Sequence, residues 1–445
     1  MSSPPSYLTY SQLSVWRSIE FMPPERMAVA ALSKVWDVPA GTTAGEIEVA
    51  LGKLATRHEA LRTRFELDHS DEPRQRVSDD CSPMLSSREL PVAGGGDAEV
   101  ARKELGELAF DLAQDPPWRA QLLTRDGVPA QLAVCFHHLI VDAWAISQLQ
   151  REFADLLAGG EPAAPAPTPA ALALLQRSPA RQARRDAAIE HWVSVMSGSV
   201  ARPQSEQSEQ SGRPEQPEQS EQSEQSGRLL TRWVSLESVP ALRAANRLAS
   251  AAKASVHAVV LAAYCEIVAR RSGQSEFVVG LLAGNRTDSR WRELVCTMDQ
   301  LSPLRYVGEP SRCFLDTIGV VYQAALTAYR HASFNVDELA EVLDRLDADG
   351  IGSGIETFFN FLPVTPAAPA GHPPFDPADP AGWRVVASDT GRDNGVPRFL
   401  HASAGDFLTL RLQEQCPDGQ TETMVQDLES MQQLIVSAAS EYGNG

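Results

Sequence analysis

The sequence predicts an α/β protein of 445 residues built as two mixed sandwiches in tandem. Three observations carry that expectation. Amphipathic helical stretches alternate with short apolar runs in both halves of the chain. A segment of different composition, residues 204–228, separates the halves. Two adjacent histidines, His137 and His138, close one apolar run where a helix begins. In open α/β sheets that edge is where ligands bind.

In the first half, Ala44–Leu61 carries Ile47, Val49, Leu51, Leu54 and Leu61, a mostly helical spacing, and Arg62–Phe65 leads into a strand. Ala98–Leu112 reads as a helix. Gln131–Phe136 (QLAVCF) is continuously apolar, which suits a buried central strand. Beyond Asp142, the positions Ile146, Leu149, Phe153 and Leu156 step by three and four, and Gly159-Gly160 ends the helix. Asp142 is placed to cap it. In the second half, Val256–Ala269 reads as an apolar helix and Glu276–Leu282 as a buried strand. Phe314–Arg330 is a helix, Glu356–Leu362 a strand, Phe407–Glu414 an alternating, half-exposed strand, and Met424–Tyr442 a closing helix. The site is expected between the two sandwiches.

Residues 204–228 repeat Ser, Glu and Gln with Pro and Gly and contain no large apolar side chain. Such a segment buries too little surface to offset its chain entropy, so disorder is expected, in a tolerated surface insertion. The expected organisation is a first lobe over 1–180, an inter-lobe helix over 181–203, the insertion at 204–228 and a second lobe over 229–445.

An apolar fraction of 43% supports a sizeable core. A net charge of −19 argues against a nucleic-acid partner and against an anionic membrane surface. The six cysteines are scattered without a C-x-x-C pair, as expected of buried thiols in a reducing compartment. No start resembles a secretory signal, and no run approaches the roughly 18 apolar residues of a membrane span. A cytoplasmic protein is the expectation.

Successive strand residues face opposite ways, so His137 and His138 cannot both enter one cleft if the strand runs through them. One should be structural and one available for chemistry. A neutral imidazole is the usual general base near neutral pH. Adjacent histidines without an H-x-x-x-H or a nearby Cys/His cluster argue against a metal site.

The surrounding motifs resemble the condensation domains of nonribosomal peptide synthetases, in the superfamily of chloramphenicol-acetyltransferase-like acyltransferases. The HHxxxDG motif of that family corresponds to His137-His138-Leu139-Ile140-Val141-Asp142-Ala143, followed by Trp144. Its RHExLRTxF motif is complete from Arg57 to Phe65. Ser11, Gln12 and Trp16 form a weak opening motif, Gly284-Asn285-Arg286 corresponds to AGR, and Val295–Arg305 to IGxFVNTLPLR. The strand ETFFNFL matches a later family strand.

The resemblance implies two chloramphenicol-acetyltransferase-like lobes forming a V with a tunnel between them. It implies that His138 is catalytic, accepting or orienting the proton of a nucleophile that attacks an acyl thioester. His137 would pack and orient, and Asp142 would pair with Arg286. Leu61 and Phe65 are expected in the core, and the arginines of their motif in support of the fold. Phosphopantetheine would belong to a partner carrier protein, with no cofactor or metal bound permanently.

Ala143 replaces the family glycine and adds a methyl group where the tunnel is expected to pass the thioester. Cys296, Asp299 and Gln300 also depart from the pattern. No adenylation or carrier signature is present, so a free-standing, monomeric enzyme acting on carriers in trans is the expectation, with an amine or alcohol as acceptor. The alternatives are an acyltransferase onto a soluble small molecule and a catalytically silent recruitment module.

Overall fold

The protein's structure is a computed structural model. It describes residues 4–443 apart from 21, 23–26, 28, 92–96, 162–163, 198–229, 349–353, 363–373, 389–395 and 417–420. The insertion at 204–228 lies outside the described residues. The chain forms two compact units.

The first unit comprises Met1–Ile189, Ala283–Gln300 and His331–Leu339. It opens with β1 (Ser6–Tyr7), α1 (Tyr10–Glu20), β2 (Ala31–Asp37) and α2 (Ala44–Arg57). There follow β3 (Thr63–Leu67), β4 (Pro73–Val77), β5 (Leu85–Glu89), α3 (Asp97–Glu107), β6 (Trp118–Arg125), β7 (Val128–His137), α4 (Ala143–Leu157) and α5 (Pro169–Arg177). One sheet has the order β2-β7-β6-β5 and a smaller antiparallel sheet the order β1-β4-β3. The apolar run is therefore an inner strand, and Leu132 to Phe136 are buried to 1% exposure or less.

Local chemistry sets the helix ends. Thr43 and Glu46 form a reciprocal capping box on α2, and Thr168 caps α5 ahead of Pro169. The expected helix to Leu61 stops earlier, at Arg57. His58 is extended there, and a 3₁₀ turn over Glu59–Arg62 leads into β3. Val49, counted on the apolar stripe, is 60% exposed, whereas Ile47, Leu51 and Leu54 are buried. Leu61 and Phe65 are also core residues.

The sequence placed everything after residue 229 in one lobe. The structure groups Ala283–Gln300 and His331–Leu339 with the first unit instead. Polar contacts account for this: Arg286 binds Asp142, and Asn285 holds the backbone of Met298 and Ala332.

The helix α6 (Gln182–Ser197) occupies most of the expected 181–203 helix; residues 198–203 lie outside the described residues. Then come β8 (Leu230–Ser238), α7 (Val239–Ala251), α8 (Val256–Ser272), β9 (Glu276–Ala283), β10 (Gln300–Val307), α9 (Phe314–Arg330) and α10 (Val336–Ala348). The chain closes with β11 (Thr357–Phe361), β12 (Trp383–Ser388), β13 (Arg398–Ala404), β14 (Leu408–Cys416) and α11 (Glu422–Gly443).

The second unit comprises Glu190–Leu282, Leu301–Arg330 and Ala340–Gly445. Its sheet runs β10-β9-β11-β13-β14-β8-β12, parallel where β11 meets β9 and β13. Every residue of α8 from Ala258 to Cys265 is fully buried, which explains a helix apolar on all faces. Gly273 ends that helix at φ 69°, a left-handed conformation that glycine adopts without strain. Among the described residues, no single helix is long and apolar enough to cross a membrane.

Candidate active site

The strand β7 ends on His137, opposite Ala31 of β2 in register. Its ring is 3% exposed and meets the Phe110 ring edge-on at 5.7 Å. The backbone N–H of Leu139 donates to His137 Nδ1 at 3.2 Å, so that nitrogen carries no proton. Burial, with the nearby His138 and Arg119, lowers the His137 pKa to about 3. The ring is therefore neutral and fixed.

His138 has left the strand and is half-buried. Its backbone N–H donates to Ala30 O at 2.7 Å. Its Nδ1 lies 2.8 Å from Val141 O. A carbonyl oxygen only accepts, so Nδ1 holds the proton and the neutral ring keeps its Nε2 lone pair. Among the described residues Nε2 has no hydrogen-bond partner. The backbone thus selects the tautomer that a general base requires.

Asp142 is 1% exposed, and its carboxylate is fully engaged. Oδ1 accepts from Ala145 N–H at 2.7 Å, capping α4. Arg286 Nη2 donates to Oδ1 and Oδ2 at 3.0 and 2.8 Å, and Met298 N–H donates to Oδ2 at 3.1 Å. Arg286 also binds the carbonyls of Trp291, Leu294 and Cys296. It thereby ties the 283–300 segment to the start of α4. Asn285, which stands where the resembling motif has glycine, takes φ 48°. Asparagine tolerates that left-handed conformation better than most residues.

Ala143, the first residue of α4, is half-buried. Trp144 Nε1–H donates to Arg292 O at 3.1 Å, and the Arg286 guanidinium stands 6.0 Å from its ring centre.

The sequence reading missed the polar group behind this cluster. Glu152 accepts from Arg57 at 2.5 Å and from Gln148 at 2.9 Å, and its Oε2 is 2.7 Å from His58 Nε2. Burial pushes the Glu152 pKa up, but His58, Gln148 and Arg57 outweigh it and hold it at about 2. The signal was legible as Gln148 and Glu152 four residues apart on an otherwise apolar helix face.

Asp299, noted as a departure, has a second significance. Its carboxyl makes no hydrogen bond or ion pair among the described residues. Burial first, then the Asp142 charge, pushes its pKa well above the carboxylate range, against the pull of Arg286. All of these groups belong to the first unit.

Residues 37–363 match the family model of the condensation domain. The chain belongs to the condensation-domain family, whose members catalyse amide-bond formation and work with carrier-protein domains. Over 347 residues it is 26% identical to phosphinothricin tripeptide synthetase PhsC of Streptomyces viridochromogenes, covering 76% of this chain and 31% of that one. It is 27% identical over 358 residues to the AMB antimetabolite synthetase AmbB of Pseudomonas aeruginosa, covering 78% of this chain and 26% of that one. The chain thus spans less than a third of the length of these curated relatives.

Similar solved structures include the condensation domain of the monacolin K polyketide synthase MokA, with a TM-score of 0.75, 18% identity, and 99% and 98% of the two chains covered. SgcC5 from Streptomyces globisporus aligns with a TM-score of 0.70 at 20% identity, over 98% of both chains. The epimerization domain from the third module of tyrocidine synthetase B aligns at 0.71 and 12% identity, over 98% of both chains. At these identities the likeness establishes the fold: the two α/β units are those of a condensation domain.

Proposed function

We propose that this chain joins an acyl or aminoacyl thioester, presented on the phosphopantetheine of a carrier protein, to an amine or alcohol acceptor. The observation that carries the reading is the His138 ring. Val141 O holds Nδ1–H, and Nε2 is left unpartnered with its lone pair. As the acceptor attacks the thioester carbonyl, the new C–N or C–O bond forms and Nε2 takes the acceptor's proton. The C–S bond then breaks, and His138 returns that proton to the departing thiolate. His137 cannot share the task, because it is enclosed and its ring is fixed by Leu139 and Phe110. Asp142 and Arg286 hold the turn between β7 and α4, and so place His138 without touching the reacting atoms.

The test is single-turnover transfer from an acyl-loaded carrier protein to candidate amines and alcohols, followed by intact-protein mass spectrometry. Wild-type turnover that His138→Ala abolishes supports the reading. Equal turnover in both removes His138 as the base. Binding of the carrier without transfer to any acceptor favours a recruitment role. The acceptor that reacts decides between amide and ester.

A further inference from the structure

Away from the histidines, but in the same unit, a shallow, open pocket lies at the start of α6. Arg181, Arg184 and Arg185 line it. The Arg185 guanidinium is spent on the backbone: Nη1 donates to Gln176 O at 2.8 Å and to Ser178 O at 3.0 Å. The guanidinium groups of Arg181 and Arg184 make no hydrogen bond or ion pair among the described residues. Asp288, the lining's carboxylate, is paired with Arg290 at 2.6 Å and also feels the charge of Arg181, without a hydrogen bond to it.

This charge placement works against the fold. The N-terminal end of a helix carries partial positive charge and is stabilised by anions. Here that end has no acidic residue in its first turn and three arginines at its start, in a chain of net charge −19. A second observation points the same way. Ser11 lines the cavity, is only 3% exposed, and its side chain has no hydrogen-bond partner among the described residues. The hydroxyl is thus free to bond a polar group in the pocket. Trp291 supplies a flat apolar wall.

We propose that this cavity binds an organic phosphate, with its phosphoryl group between Arg181 and Arg184 and its ring or chain against Trp291. Guanidinium pairs match phosphoryl oxygens in a bidentate fashion. The inference is independent of the thioester reading, because it makes no use of His138. A free nucleotide and the phosphopantetheine arm of a carrier present the same phosphoryl chemistry.

The experiment is calorimetric titration of the full chain with two pairs of probes. Adenosine 5′-diphosphate is compared with adenosine, and 4′-phosphopantetheine with pantetheine. The expected result is that at least one phosphorylated probe binds about tenfold or more tightly than its phosphate-free partner. Arg181→Ala/Arg184→Ala should weaken that binding by about tenfold or more, with an almost unchanged unfolding temperature, because neither guanidinium makes a hydrogen bond or close ion pair among the described residues. His138→Ala should bind as wild type does. Binding of the diphosphate assigns the site to a nucleotide, and binding of phosphopantetheine alone assigns it to the carrier arm. No phosphate-dependent binding, or binding unchanged in the double variant, overturns the proposal.

Discussion

Arg286 lays one guanidinium nitrogen across both carboxylate oxygens of Asp142, at 3.0 and 2.8 Å, over a separation of 144 residues. Both side chains are buried, at 7% and 1% exposure. Removing one member leaves the other as an uncompensated buried charge. Arg286→Met is therefore expected to cost about 3–5 kcal/mol of unfolding free energy. Asp142→Asn should cost a similar amount, and the double variant less than the sum of the two. Urea denaturation of the three variants measures this. A loss below about 1 kcal/mol in Arg286→Met would show that the pair is no structural tie.

The two histidines should separate cleanly. His138→Ala is expected to lower turnover by about 10²–10⁴-fold, the usual worth of a general base, while leaving the unfolding temperature almost unchanged. His137→Ala should do the reverse in stability, costing about 2–4 kcal/mol by emptying a packed site beside Phe110. Parallel rate and melting measurements decide it. A stable His137→Ala protein would contradict the packing role.

Asp299 is expected to destabilise the protein at neutral pH. Its pKa is raised on folding, so above an ordinary carboxylate pKa of about 4 the unfolded chain gives up the proton more easily than the native one. Native stability is lost as pH rises through that region. Asp299→Asn removes the cost, and should gain about 1–3 kcal/mol at pH 7 and little near pH 4. Denaturation midpoints at the two pH values test this. An unstable Asp299→Asn protein would mean that the native state uses the negative charge.

Acid should weaken the fold early. Burial lowers the pKa of His137 to about 3, of His257 to about 4 and of His401 to about 3, with Arg411 adding to the effect at His401. In the unfolded chain each titrates near 6.5. Below that pH the unfolded state binds more protons, so stability falls as pH falls from about 6.5 towards 3. Glu152, held at about 2, adds a loss in the same direction below about 4.5. Unfolding free energy measured between pH 7 and pH 5 should drop steadily. A flat profile would contradict the burial of neutral rings.

Much of the architecture was legible because its signals are local. The spacing of Ile146, Leu149 and Phe153 marks α4, and its cap Asp142 is observed. The apolar run before His137 marks an inner strand, and Phe314–Arg330 is a helix over the residues expected. β2, α5, α7 and α10 went unread, since short or mixed patterns are settled by what they pack against. Val49 was misplaced for the same reason: apolar character does not say which side of α2 meets the core.

The sequence by itself determined that one of two adjacent histidines would be enclosed and the other open, because strand residues alternate. Which ring is enclosed, and which nitrogen of the other is bare, was decided only by the tertiary structure. Phe110 closes over His137, and Val141 O takes up Nδ1–H of His138. Likewise the family motifs nominated Asp142 and Arg286, but a segment from the chain's second half joined the first unit only through packing. Those outcomes depend on contacts between residues far apart in sequence, and local periodicity carries no record of them.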